Sequence, residues 1–517
     1  MSIFTSAERR FVQTLTDLSY CNPFLPERIE HERQALGDEF ADTASVWSLN
    51  VEQQAERANV VRLGARAERL AVEVRERLLQ RTAVRDADMA LYADLVDYVV
   101  YERLRPAFSD IVSEFLVGTG TGEPEREWKT FLHDYQYFLG LPHRPRPAIH
   151  EAAHLFAGLF QIHRAFQTIY YNIVGRSMSA ARLRAAVWQS VFTHDMRRYR
   201  TLLYDRLGDF TTLITGPSGT GKELVARAIG LSRYIPFDPD KQKFADDFRG
   251  SFHPLNLSAL SPTLIESELF GHRRGAFTGA AVDHAGWLEV CRPLGTVFLD
   301  EIGDLDTTIQ VKLLRALQTR SFQRLGETEP RQFHGKIIAA TNRDLTVQIC
   351  AGTFREDFYY RLCSDMISTP SLHEQLADCP DDLRHLVTFL LRRILGSTAD
   401  GLVDEAATWI EKHLGRDYPW PGNIRELEQC VRNLLVRRDY RPRTTRGDES
   451  SRAAADPQSE LTAALRAGTL TAEELLSRYC TLVYAQTHSY EQTARRLQLD
   501  RRTVKAKIDA DLLRRLR

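Results

Sequence analysis

No run of about 18 apolar residues occurs anywhere in the 517-residue chain, so no segment reads as a membrane-spanning helix. The first residues, MSIFTSAERRF, carry charge where a secretion signal needs an apolar stretch, and the expectation is a cytoplasmic protein without a membrane partner. Cysteine is sparse: Cys21, Cys291, Cys350, Cys363, Cys379, Cys430 and Cys480 are odd in number and never form a CxxC pair. That argues against a disulfide framework and against a thiolate zinc site. A bias of charge is missing too, since 68 Lys and Arg nearly balance 69 Asp and Glu for a net charge of −1. Taken whole, the sum speaks against a chain coated in basic charge for nucleic acid. By segment it is −6 over 1–170, 0 over 171–490 and +5 over 491–517, so basic charge is gathered at one end.

What is present is ample apolar content, 43% of residues, in a chain long enough for three to four domains. From 1 to 170, apolar residues recur at three- and four-residue spacing, as at Leu70, Val74 and Leu78 or Leu91, Leu95 and Val99, and predict helices. Gly and Pro mark loops at 118–124 and 142–147. Between 171 and 370, short apolar runs at 212–215, 297–299 and 337–340 alternate with helical patterns, which predicts a parallel sheet covered by helices. A helical stretch follows over 381–438, interrupted by Pro419, Trp420, Pro421 and Gly422. Residues 440–459 lack periodicity and read as a linker before a final helical segment.

The strand-like TTLIT runs into Gly216, Pro217, Ser218, Gly219, Thr220, Gly221, Lys222 and Glu223, a GxxxxGK pattern where a strand hands over to a helix. Such a loop turns backbone N–H groups and a helix N-terminus towards phosphate, with the lysine reaching the β and γ phosphates. Glu223 departs from the generic pattern, which has Ser or Thr there for Mg²⁺. A second strand ends in Asp300 and Glu301, an acidic pair where ligands bind in parallel sheets. Asp300 suits Mg²⁺ held with the nucleotide and Glu301 suits polarising the attacking water, so ATP hydrolysis is predicted, with ATP and Mg²⁺ as cofactors. A third strand ends in Thr341 and Asn342, placed to sense the γ-phosphate. Arg355 and Arg361 lie six apart and read either as surface arginines paired with Glu356 or Asp357, or as groups serving a neighbouring subunit.

Gly275, Ala276, Phe277, Thr278, Gly279 and Ala280 spell GAFTGA, two glycines framing a Phe-Thr tip that a flexible loop could present to a partner. With the P-loop it resembles the AAA+ domain of bacterial enhancer-binding proteins, the activators of sigma-54 RNA polymerase. The resemblance covers about 172–438 and, more loosely, the C-terminal segment. It implies an α/β P-loop ATPase core at 171–370 with an α-helical lid at 371–439. It further implies that GAFTGA contacts sigma-54 holoenzyme and that Glu223 is ordinary for the family. Asn256 would hold the catalytic glutamate, Thr341 and Asn342 form sensor I, Arg355 and Arg361 act as fingers across a homo-oligomeric ring such as a hexamer, and Arg425 in WPGNIREL is sensor II. Residues 173–177 would lie near the adenine. Two stretches depart from the pattern. Residues 186–209 are longer and more basic than the family's usual link, and His284-Ala-Gly-Trp-Leu-Glu289 replaces an Arg-Gly-Phe-Glu run.

After a linker at 440–468, the segment 469–517 carries an Ala494-x-x-Leu497-x-Leu499 pattern, a tight turn and a basic helix at 501–508. This predicts a helix-turn-helix that grips upstream enhancer DNA through Arg501, Arg502, Thr503, Lys505 and Lys507. It resembles the Fis-type domain of the same activators, with Gln498 where a turn glycine is usual. In the N-terminal third, His150-Glu-Ala-Ala-His154 is a formal HExxH with His163 beyond it. Proline at 145 and 147 and the lack of a well-spaced third ligand favour structural or surface histidines over a sensory metal site. No strand-end aspartates suggest a receiver domain in 1–130, so 1–170 is expected to be a helical regulatory domain answering an unidentified signal. The alternatives are an AAA+ remodeller of another protein target and a DNA-binding regulator with a metal-sensing N-terminal domain.

Overall fold

The computed structural model describes residues 2–42, 58–81, 83–117, 125–142, 147–247, 252–396, 400–442, 470–509 and 512–513. The expected loop at 118–124 and most of the expected linker, from 443 on, lie outside the described residues, as do 143–146 of the second loop. The chain divides into two compact units, Met1–Val436 and Arg437–Arg517.

The first unit begins with helices α1 (Ser6–Tyr20), α2 (Glu27–Leu36), α3 (Ala58–Leu79), α4 (Asp86–Val117), α5 (Glu125–Leu139), α6 (Ile149–Asn172) and α7 (Met178–Phe192). The expected helical character of this region is present. Helix α1 starts in a capping box: the Glu8 N–H donates to Thr5 Oγ1 at 3.2 Å and the Thr5 N–H to Glu8 Oε2 at 2.7 Å. Glu8 also receives Arg77 of α3 at 2.8 Å, which ties the two helices together. Phe108, Trp128, Phe131 and Phe156, from α4, α5 and α6, meet in one apolar core whose rings pack at 5.3 to 5.8 Å. That core also takes in Phe237 and Phe244 of the hairpin β2 (Phe237–Asp238) and β3 (Lys243–Phe244). The helical region therefore shares its interior with the segment that follows the P-loop.

Five parallel strands form the sheet: β1 (Thr212–Thr215), β4 (Phe252–Asn256), β5 (Thr296–Asp300), β8 (Lys336–Thr341) and β9 (Asp365–Ser368), in the order β4-β5-β8-β1-β9. The central residues of the inner strands β5, β8 and β1 are buried on both faces, as the continuous apolar runs require of a parallel sheet, whereas the edge strands β4 and β9 expose Pro254 and Met366. One face joins Ile214, Phe298 and Ile338 to the second half of α6, to α7 and to α8 (Lys222–Gly230). The other packs on α9 (Pro262–Phe270), α10 (Trp287–Val290), α11 (Thr307–Thr319) and α13 (Glu356–Leu362), with α12 (Leu345–Cys350) between them in sequence. The short strands β6 (Ser321–Phe322) and β7 (Arg331–Gln332) pair as a hairpin. Helices α14 (Leu372–Asp378), α15 (Asp382–Leu395), α16 (Asp400–His413) and α17 (Asn423–Arg437) complete the unit where a lid is expected.

The basic stretch at 186–209 has a use in this fold. It continues past α7 as a short helix, Met196–Arg198, and a π-helical turn, Tyr199–Leu203, lying on the N-terminal helices. Arg200 bonds Asp97 of α4 at 2.8 Å and the Tyr20 hydroxyl at 2.8 Å. The extra basic residues match the acidic charge of the helices they lie on.

The second unit contains α18 (Ala472–Thr487), α19 (Tyr490–Leu497) and α20 (Arg501–Lys507). The basic helix stops one residue short of the expected 501–508, because Ile508 turns to extended backbone. Gln498 closes α19 in the left-handed region, φ 54° and ψ 39°, the conformation that favours glycine at this turn. Replacing it by glycine (Gln498→Gly) is expected to stabilise the unit by about 1 kcal/mol, read as a higher midpoint of its transition in scanning calorimetry; Gln498→Val should lower it.

Candidate functional site

The P-loop joins the C-terminal end of β1 to α8, between β8 and β9. Gly216, Gly219 and Gly221 all take positive φ, at 141°, 80° and 89°, which lets the chain coil before the helix. A Cβ on Gly216 would collide with Thr369 just beyond β9. The Thr369 hydroxyl lies 2.7 Å from that of Thr220, and Thr220 donates to the Pro217 carbonyl at 2.9 Å. Lys222 folds its ammonium back onto the carbonyls of Gly216 at 3.1 Å and Pro217 at 3.2 Å. Burial lowers its pKa, while Glu301 and Asp300 act in the opposite direction. Glu223 points away, exposed, 3.6 Å from Arg227 one turn on.

Asp300 ends β5 and Glu301 follows it in the left-handed region, φ 56°, a conformation costing a side-chain-bearing residue about 1 kcal/mol. Burial, and then the neighbouring Glu301, raise the Asp300 pKa. Two carboxylates and an ammonium thus meet where three strands end, an arrangement of hard oxygen donors suited to a divalent cation. The Glu301 carboxylate accepts the Asn342 N–H at 3.3 Å, and Thr341 Oγ1 accepts that of Arg343 at 3.1 Å. Asn256 stands opposite Asp300 in the strand register. Its amide oxygen is taken by Ser258, from the N–H at 3.0 Å and the hydroxyl at 2.8 Å, and the group on Glu301 is Asn342.

Both candidate finger arginines lie around α13. Arg355 grips Asp357 with two bonds of 3.0 and 2.6 Å, and Arg361 donates to the Leu317 carbonyl at 3.0 Å. Their side chains are not brought to this chain's own P-loop. Arg425 is: its guanidinium donates to Ser218 Oγ at 3.1 Å.

Four residues that the motifs did not single out organise the site. Asn423, buried and at φ 51°, donates to the Ser218 carbonyl at 2.9 Å and accepts the Leu372 N–H at 2.8 Å, so it links the P-loop to two helices beyond the sheet. Thr369 braces the loop from β9. Asp382 accepts the N–H groups of Arg176 at 2.6 Å and Ser177 at 3.0 Å, and Arg184 donates to the Ile173 carbonyl at 2.8 Å and to that of Gly175. These last two hold the 173–177 segment. The place of Asn423 inside WPGNIREL, two residues before Arg425, was a usable signal; Asp382, remote in sequence, gave none.

GAFTGA forms a tight loop, with the Gly275 N–H on the Ala280 carbonyl at 2.8 Å and the Ala280 N–H on the Phe277 carbonyl at 3.1 Å. Thr278 and Gly279 are exposed at the tip. The expectation of a presented aromatic needs correction: Phe277 is half-buried, because its ring packs edge-on against His272 with centroids 4.9 Å apart. The loop's root is braced by ions, Arg273 with Asp283 at 2.6 Å and Glu327 at 2.8 Å, Arg331 with Glu327 and Glu289, and Arg324 with Glu289. Glu289, from the stretch that departs from the family pattern, thus has a bracing role.

On α20 the helix is capped by Asp500, which accepts the Arg502 N–H at 2.7 Å. Arg501 pairs with Glu491 at 3.2 Å and Lys507 with Glu473 at 2.6 Å, whereas Arg502 and Lys505 are exposed without an ion pair among the described residues. Thr503 is half-buried beside them. In the HExxH sequence, His150 is exposed, while His154 has Nδ1 on the Tyr234 hydroxyl at 2.7 Å and Nε2 on the Arg200 carbonyl at 3.0 Å. His163 lies between the Tyr101 and Ser109 hydroxyls, its pKa lowered to about 3 by burial. These contacts make His154 and His163 structural.

Residues 193–368 match the family described as the sigma-54 interaction domain. The chain is 42% identical over 238 residues to the DNA-binding transcriptional regulator NtrC of Rhizobium meliloti, covering 46% of this chain and 45% of that protein. It is 43% identical over 226 residues to the sigma54-dependent transcriptional activator SfnR of Pseudomonas putida, covering 44% and 57%. To the Nif-specific regulatory protein of Azotobacter vinelandii it is 42% identical over 228 residues, covering 44% and 40%. The chain therefore spans about half the length of these relatives. Among solved structures, NtrX from Brucella abortus aligns over 72% of this chain and 76% of that one, at 24% identity and a TM-score of 0.39.

A Cβ on Gly219 would collide with the Gly422 carbonyl and stand 3.2 Å from Arg425 Cβ. Gly219→Ala is expected to push the start of α17 off the P-loop and weaken ATP binding at least about tenfold, measured by titration calorimetry; wild-type affinity would show that this close approach is dispensable.

Proposed function

We propose that this chain, which carries a sigma-54 interaction domain across residues 193–368, is an ATP-hydrolysing activator that binds upstream enhancer DNA and remodels sigma-54 RNA polymerase holoenzyme. The observation that carries the reading is one architecture holding both parts: Lys222, Asp300 and Glu301 at adjoining strand ends, and the GAFTGA loop rising from the helix–hairpin layer of the same sheet.

Binding would release Lys222 from the two P-loop carbonyls, so that the ammonium pairs with phosphate. Arg425 and Ser218, already in contact, close the lid side of the nucleotide. Asp300, whose pKa is raised by burial and then by Glu301, would hold Mg²⁺ with Glu301 near it, and the ion would supply positive charge to the phosphates. Glu301 orients the attacking water as general base, and Asn342, bonded to it through its backbone, reports the state of the γ-phosphate. Arg355 is exposed and holds only a carboxylate two residues away, so an incoming phosphate from a neighbouring subunit can replace Asp357. This supports a ring in which each site is completed by the next protomer. Enhancer DNA would meet Arg502 and Lys505 first, with Arg501, Thr503 and Lys507 alongside.

The proposal sets two expectations. Lys222→Ala should abolish ATP binding, whereas Arg355→Ala should lower turnover at least about 10³-fold with ATP binding intact; a fully active Arg355→Ala protein would remove the finger assignment. Thr278→Ala should leave ATPase activity unchanged and eliminate open-complex formation at a sigma-54 promoter, assayed by permanganate footprinting. Open complexes formed at the wild-type level would point to another protein target.

A further inference from the structure

A cavity of the first unit lies away from the P-loop. It encloses about 790 Å³, a volume suited to a small organic ligand, between α1, α2, α3, α4, α6, α7 and the connector at Met196–Leu203. Much of its wall is aromatic: Tyr20, Tyr98, Tyr101, Phe166, Tyr170 and Trp188. Rings present a negative face, and Tyr20 already shows what they attract, with the Arg197 guanidinium 4.9 Å and that of Arg200 5.9 Å from its centroid.

Charge in the wall is unequal, five carboxylates against three guanidiniums. Each guanidinium is committed to a carboxylate: Arg28 to Glu32 at 2.9 Å, Arg105 to Glu102 at 3.2 Å and Arg200 to Asp97 at 2.8 Å. Asp94 and the exposed Asp110 are left over. Asp94 is half-buried and enters no ion pair among the described residues. Burial, and after it the charge of Asp97, disfavour its ionised form, and the Arg197 and Arg200 guanidiniums and the Thr16 hydroxyl offset this only in part. A carboxylate so placed gains from a cation delivered into the cavity, and the surrounding rings add to that gain.

We propose that this cavity binds a small organic cation with an aromatic or apolar body, a substituted ammonium held by Asp94 and the rings around it, and that its occupancy is the input to the motor. The second half rests on the function proposed above; the binding half does not. The link is short. Tyr170 and Tyr171 form both cavity wall and the last turn of α6, and Arg184 lies over the Tyr170 ring at 5.4 Å. The same Arg184 holds the carbonyls of Ile173 and Gly175, in the segment whose next two N–H groups sit on Asp382 of the lid. A ligand that shifts Tyr170 therefore acts on the lead-in to the nucleotide site.

The test titrates the full chain with 2-(1-naphthyl)ethylammonium and with its neutral isostere 2-(1-naphthyl)ethanol, by calorimetry, and then measures ATP turnover with and without saturating ammonium. Saturable binding of the ammonium at least tenfold tighter than the alcohol is expected. Asp94→Asn should remove that preference while leaving the alcohol's affinity in place, and turnover should change at least twofold on saturation. No saturable binding up to millimolar ammonium, or equal affinity for the two compounds, overturns the site; this comparison needs no variant. Tight ammonium binding without a change in turnover overturns the input role alone. Absent turnover in a protein that still prefers the ammonium supports the site and counts against the ATPase reading.

Discussion

Helix α6 is common property of two apolar cores, and much of the first unit depends on that sharing. Phe156 and Phe160 belong to the core of the N-terminal helices, while Ala165, Ile169 and Tyr170, further along the same helix, belong to the core against the sheet. An unbroken hydrogen-bonded helix transmits displacement along its axis, and close-packed interiors do not absorb it. The boundary expected at 170 and 171 falls inside this helix, in its last turn. Cutting there would expose the rings of Phe156 and Trp128 that pack on Phe237, at about 25 cal/mol for each Å² of apolar surface returned to water. The N-terminal helices are thus joined to the sheet-bearing part of the unit through a shared interior.

Legibility in the sequence follows from how local the physics is. The P-loop could be read because strand, glycine-rich turn and lysine are contiguous, and the acidic pair because it ends a strand of recognisable composition. The helical character of the first third showed in its periodicity. Thr369 and Asp382 were hidden, since each acts by reaching a segment remote in the chain, Thr369 to Thr220 and Asp382 to Arg176 and Ser177; Asn423 sits inside a motif that was read, but its reach to Ser218 was not visible there. Phe277 illustrates another limit. Its neighbours in sequence predict a protruding tip, and its partner, His272, is five residues back across a turn whose closure no composition reveals. The departure at Gln498 was visible, but the left-handed backbone it must adopt was not.

The site's charges are balanced against one another. Lys222 occupies carbonyls, Arg425 a hydroxyl, Arg355 a nearby carboxylate and Glu301 a backbone N–H. None is left to face solvent or a low-dielectric wall without a partner, and each partner is weaker than a phosphate group would be. Such provisional pairing keeps the groups oriented without locking them.

The ion network at the root of the GAFTGA loop has a different character from the apolar bracing elsewhere. Arg273, with side-chain exposure of 46%, and Asp283, with 45%, stand largely in solvent, whereas Glu327 is at 8%. Screening by dissolved ions acts on the first pair far more than on the second. As ionic strength rises, the brace to Asp283 therefore weakens before the brace to Glu327 does. One arginine thus joins the loop to two carboxylates whose hold on it responds unequally to dissolved salt.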